Sequence, residues 1–157
     1  DVKTGDWFYD AVAYVYSNGL MDGTSADTFE PDATLTRAMV WAILARADGK
    51  SVTGASWAED ARLWALSCGV SDGTDMNSGI TREQFATMLW RYAGSPASEH
   101  SLAAYADAAS VNSWAADAMA WAVERGIITG VTSDTLSPQG TATRAQCAAM
   151  LMRFAEL

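Results

Sequence analysis

Apolar residues recur along this chain with the spacing of a helix face, and the pattern is written three times. Counting from Trp7, Trp57 and Trp114, Ala11, Ala61 and Ala118 stand four positions on. Tyr14, Trp64 and Trp121 stand seven on, and Val15, Ala65 and Ala122 eight on. Steps of four, seven and eight share one side of an α-helix. A glycine follows at twelve in each copy (Gly19, Gly69, Gly126), where a helix can end in the left-handed conformation. Leu20, Val70 and Ile127 come next and supply the apolar contact of such a cap.

A second amphipathic stretch opens at Thr36-Arg37, Thr81-Arg82 and Thr143-Arg144. From each Arg, apolar residues stand three on (Val40, Phe85, Cys147), six on (Ile43, Met88, Met150) and seven on (Leu44, Leu89, Leu151). Nine on comes another arginine (Arg46, Arg91, Arg153), read as a surface cation in a last turn, where the helix dipole favours one. Thr is a good N-cap, and Gln84 and Gln146 complete a capping box that Met39 denies the first copy. Each copy therefore predicts helix, loop, helix, with repeats over 1–50, 51–101 and 102–157. Units this small bury little alone, so the copies must pack on one another.

The loops between these helices are unequal. From the second glycine (Gly23, Gly73, Gly130) to the Arg, the first and third copies take fourteen residues and the second nine. The first carries Thr28-Phe29-Glu30-Pro31 and the third Thr135-Leu136-Ser137-Pro138. The second shows no counterpart to Phe29 or Pro31. Tyr105-Ala106-Asp107 leads into the third copy, and Asp1-Val2 is its remnant in the first, which suggests a trimmed start.

Composition narrows the function. The 157 residues are half apolar with formal net charge −9, so no basic field exists to draw nucleic acid. No apolar run reaches membrane-spanning length, so membrane insertion is not expected. No signal-like segment opens the chain, which reads as a piece of something longer. The lone His100 sits beside Glu99 in a Ser/Ala-rich linker and is read as solvated. With no nucleophile elbow and no carboxylate pair recurring with the repeat, no catalytic residue is assigned and the chain is not read as an enzyme. The loop after Asp22 offers Thr24, Ala26 and Thr28 at alternate positions, too poor for calcium. Neither a metal nor a cofactor is expected. Cys68 and Cys147 are read as two separate buried thiols.

The arginine after each Thr is the chemically odd feature. It falls at the first helical position, where the dipole opposes a cation. Guanidinium and free N–H groups together would make an anion site. An internal partner is the alternative, because Asp22 and Asp72 precede the second glycine in two copies. The Trp7, Trp57 and Trp114 column is read as core more readily than as a ligand platform.

Trp, Gly-x-x-x-Gly, Phe-x-Pro and Thr-Arg-Ala-x in three tandem copies resemble the S-layer homology domain triplet over nearly the whole chain. The signature appears as Thr36-Arg37-Ala38-Met39, Thr81-Arg82-Glu83-Gln84 and Thr143-Arg144-Ala145-Gln146, with the family's Glu replaced each time. The resemblance implies an all-α, pseudo-threefold spindle around a central three-helix bundle, with grooves between copies. It implies a non-catalytic module at the bacterial cell surface, anchored non-covalently to a secondary cell wall polysaccharide. Such polymers often carry ketal-pyruvylated N-acetylmannosamine, whose carboxylate the signature arginine contacts. By position the ligand residues are Arg37, Arg82 and Arg144, with Trp7, Trp57, Trp114, Gly23, Gly73 and Gly130 around the sugar. One or two competent grooves are expected, using Arg37 and Arg144. A partner's acidic group, including that of another surface-layer protein segment, would satisfy the same arginines.

Overall fold

The computed structural model describes residues 1–157, and it is helical. Its six α-helices are α1 (Tyr9–Ser17), α2 (Arg37–Ala47), α3 (Trp57–Ser67), α4 (Arg82–Tyr92), α5 (Ala116–Glu124) and α6 (Arg144–Ala155). Two short 3₁₀ turns, Ala108–Ser110 and Ser113–Ala115, lead into α5.

The apolar faces expected from the sequence are the buried ones. Ala11, Ala61, Ala118, Val15, Ala65 and Ala122 are all inside, as are the nine apolar positions counted from the signature arginines. The helices α1, α3 and α5 end alike. Gly19, Gly69 and Gly126 have φ of 66°, 69° and 70°. The next N–H (Leu20, Val70, Ile127) reaches back to the carbonyl of Val15, Ala65 or Ala122 at 2.8–3.0 Å. This is a Schellman cap with its apolar contact in place.

The late arginines fasten this cap rather than merely facing solvent. Arg46 donates to the Leu20 carbonyl at 3.2 Å, Arg91 to Val70 at 3.3 Å and Arg153 to Ile127 at 3.2 Å. In each copy the end of the second helix is thereby tied to the end of the first. A surface cation is thus corrected to a staple, half-buried at Arg46 and Arg153 and still exposed at Arg91.

The helices that pack together belong to different copies. The second helix of one copy meets the first of the next: α2 on α3, α4 on α5, and α6 back on α1. The segments before α2, α4 and α6 pair in the same cyclic sense, through bridges Thr36–Gly79, Thr81–Thr141 and Thr143–Thr34. Leu35, Ile80 and Ala142 are buried among them. The contacts close a three-membered ring.

The lead-in segment acts as a clasp. Asp107 accepts from the N–H groups of Leu136 and Ser137 at 2.9 and 2.8 Å, and Asp1 does the same for Phe29 and Glu30 at 2.8 and 2.7 Å. The Leu136 N–H holds the Asp107 carboxyl below its ordinary value, helped by Ser137 and Arg82 against partial burial. A depressed carboxyl stabilises the fold above its unfolded pKa and stops doing so as pH falls through its folded value. Asp107→Asn is therefore expected to cost about 1 kcal/mol at pH 7, the usual worth of a side-chain cap. In urea titrations that gap should persist down to about pH 4, the ordinary Asp value, and close below it. A gap that widened in acid would contradict this role.

One cysteine matches its expected burial. Cys147 is buried, which raises its thiol pKa to about 12, whereas Cys68 is exposed at the end of α3.

Candidate functional site: three clefts, each built by three copies

The Thr N-caps form as expected. Thr36, Thr81 and Thr143 each accept from the N–H three residues on at 3.2 Å. Gln84 and Gln146 close the box by accepting from the cap N–H at 3.1 Å. In the first copy the Met39 sulfur, a weak acceptor, stands at 3.5 Å from the Thr36 N–H and takes that place.

The helix starts are not open anion sites, contrary to the expectation above. Arg37 and Ala38 donate their N–H groups to Ser78 and Met76 at 2.9 and 3.0 Å. Arg82 and Glu83 donate theirs to Gly140 and Pro138, both at 2.9 Å. Arg144 and Ala145 donate theirs to Ala33 and Pro31 at 2.7 and 2.9 Å. The donors that a free helix end would offer are spent on the neighbouring copy's loop, because those bonds hold the ring together. Only the side chains remain available.

These same bonds reveal what the short second loop keeps. Met76 occupies the backbone role of Pro31 and Pro138. Thr74 takes that of Phe29 and Leu136, since the arginine Nε donates to the carbonyl of Thr74 (Arg37, 2.9 Å), Leu136 (Arg82, 2.8 Å) and Phe29 (Arg144, 2.7 Å). The turn residues Glu30, Asp75 and Ser137 share φ of 50–54°. So Phe29 and Pro31 do have counterparts in the second copy. The five missing residues are excised from between the glycine and that turn. In sequence the substitutions of Phe by Thr and Pro by Met hide the match.

Three clefts of about 320, 360 and 310 Å³ contain the signature arginines. Each takes its arginine from one copy, the glycine loop and second helix from the next, and its tryptophan from the third. Arg144 meets Gly23, Met39, Arg46 and Trp57. Arg37 meets Asp72, Thr74, Gln84, Arg91 and Trp114. Arg82 meets Gly130, Gln146, Arg153 and Trp7. Every cleft thus holds two guanidinium groups. The late arginines are its functional candidates that sequence reasoning left on the surface; their fixed offset from the signature was the available signal.

The tryptophans leave the core. Trp7 is 66% exposed and Trp114 50%, while Trp57 is half-buried. Trp7 and Trp114 precede their helices rather than riding on them, so the helix face does not carry them inward. Gly23 and Gly130 are needed by tight loops, since a Cβ would lie 2.7 Å from the Ser25 and Thr28 carbonyl oxygens, or 2.6 and 2.8 Å from those of Thr132 and Thr135. Gly73 lies between Asp72 and Thr74 and does not line its cleft. A Cβ there would press on the Leu66 and Arg62 side chains at 3.1–3.2 Å.

The three arginines differ electrostatically. Arg37 pairs with the Asp72 carboxylate at 3.1 Å. Neither Arg82 nor Arg144 has a carboxylate oxygen within 4.0 Å. Arg144 donates Nη2 to the backbone carbonyl of Asp22 at 2.6 Å and lies over the Phe29 ring at 4.4 Å. Burial lowers the pKa of both guanidinium groups. A cation stripped of water and held only by neutral carbonyls retains most of its attraction for an anion.

The S-layer homology domain matches residues 1–38 and 104–148, which is just over half of the chain and leaves out the second copy, where the loop is shortened. The Surface-layer 125 kDa protein of Lysinibacillus sphaericus is 34% identical over 58% of this chain and 9% of its own length. An S-layer protein of Bacillus thuringiensis subsp. finitimus is 25% identical over 98% of this chain and 21% of its own. An exoglucanase of Acetivibrio thermocellus is 29% identical over 99% of this chain and 16% of its own. The chain spans about a fifth or less of these relatives. The motifs, the residues matched and the all-helical architecture agree, and the chain belongs to the S-layer homology domain family.

Proposed function

We propose that this chain is a non-catalytic anchoring module that attaches a bacterial surface protein to the cell wall by binding carboxylate-bearing, ketal-pyruvylated secondary cell wall polysaccharide in the clefts of Arg144 and Arg82. The observation that carries this reading is the pair of desolvated guanidinium groups without a carboxylate of their own, each beside a second arginine and a tryptophan. A guanidinium fork suits a carboxylate, and the tryptophan offers an apolar face to a sugar ring. The enzyme-named relative supports the anchoring role, because this chain corresponds to a small share of it. With net charge −9, attraction to an acidic polymer is local rather than steered from a distance.

Sedimentation with purified cell wall tests this. Binding should be saturable and fall at least tenfold once pyruvate is removed chemically from the wall polymer. Undiminished binding after that treatment would point instead to an acidic group of a partner protein.

A further inference from the structure

In the second cleft a carboxylate sits on the signature arginine. Asp72 Oδ1 accepts from Arg37 Nη2 at 3.1 Å, from the Thr74 N–H at 3.0 Å and from the Thr74 hydroxyl at 2.8 Å. The first copy has Asp22 at the same offset before its glycine, yet there only the backbone carbonyl reaches an arginine. The third copy has Thr129.

Loop length explains the contrast. In the long loops the N–H groups of Phe29 and Leu136 are capped from outside the cleft, by Asp1 and Asp107. The second copy has no such lead-in aspartate. Its shortened loop brings Thr74, which holds the place of Phe29, within two residues of Asp72. Asp72 therefore caps that N–H from inside the cleft, and its carboxylate lands on the arginine.

We infer that Asp72 is a specificity-determining residue: its carboxylate occupies the Arg37 fork and makes this cleft refuse the anionic ligands that the Arg82 and Arg144 clefts accept. This rests on the proposed anchoring reading for the other two clefts. Refusal is an electrostatic statement. An incoming carboxylate would meet a like charge about one hydrogen bond from its target, with Asp75 also lining the cleft. The Asp72 side chain is 69% exposed while that of Arg37 is 11% exposed, so the acid, not the base, faces solvent.

The test uses sodium pyruvate and the ¹⁵N-resolved signals of Arg37 Nε–H and Trp114 Nε1–H in the full chain. Asp72→Thr borrows the residue of the third copy and keeps an oxygen for the Thr74 N–H. Asp72→Asn is the isosteric second variant. In both, pyruvate should shift the Arg37 and Trp114 signals saturably, and in the unaltered protein it should not. Asp75→Asn, which removes an equal charge without touching Arg37, should stay silent. A wild-type response at Arg37, a response in Asp75→Asn, or silence in both Asp72 variants would overturn the assignment. Failure of wall binding would sink the anchoring proposal without affecting these signals, so the two can be told apart.

Discussion

Arg144→Lys is expected to weaken binding to pyruvylated wall polymer at least tenfold while leaving a folded protein. The guanidinium of Arg144 does two jobs. Its Nε and one Nη2 hydrogen hold the carbonyls of Phe29 and Asp22, and the rest of the fork is free for an acid. An ammonium keeps the charge but cannot reach both carbonyls and also present a planar fork. Losing one charge-assisted hydrogen bond is worth about 1.5–3 kcal/mol, or a tenfold to hundredfold change in affinity. Arg144→Ala would be the poorer choice, because removing both carbonyl ties also loosens the seam between the third and first copies. Arg82→Lys should behave like Arg144→Lys, and the double variant should fall below detection, since a polymer engaging two clefts multiplies their effects. Circular dichroism should report an unchanged helical fold in each. Wild-type affinity in the double variant would remove these arginines from the binding site.

Glu83→Ala is expected to lower stability by about 3 kcal/mol. Glu83 is 1% exposed, a rarity for a carboxylate. Its Oε2 accepts from the Asn112 N–H at 3.0 Å, and its Oε1 from the side-chain amides of Asn112 and Gln139. Gln139 also grips the Ser110 carbonyl. One carboxylate thus fastens the approach to α5 onto the start of α4. Removing it takes the partner from three donors, two of them on the exposed side chains of Asn112 and Gln139, and a hydrogen bond to a charged group is worth about 1.5–3 kcal/mol. For a domain of this length each kcal/mol moves Tm by roughly 2–4 °C, so thermal melts should shift down by about 10 °C. Trp114, two residues beyond Asn112, should redden in fluorescence well below that midpoint as its segment loosens. A melt within 2 °C of wild type would mean that water readily replaces the carboxylate.

How much of this was legible beforehand follows from what each feature depends on. Helix faces, Thr caps and glycine endings are local rules, and the chain states them three times. Ala38 and Ala145 stand where Glu83 does, so a reading by repeats treats the Glu as noise, although it is the copy-specific fastener. Asp22 and Asp72 share one offset, and only loop length decides that one points its carbonyl and the other its carboxylate at an arginine. That distinction is tertiary and cannot be read from spacing. The free N–H groups expected at the helix starts were misjudged for the same reason, because their partners are carbonyls of another copy.

The order of contributors around each cleft has an evolutionary corollary. No pair of repeats contains a whole cleft, since guanidinium, glycine loop and indole come from three different ones. Deleting any single repeat therefore dismantles all three clefts at once instead of removing a third of the capacity. Selection acting on attachment sees an indivisible trio, while each repeat remains free to drift in the fittings that belong to its own loop.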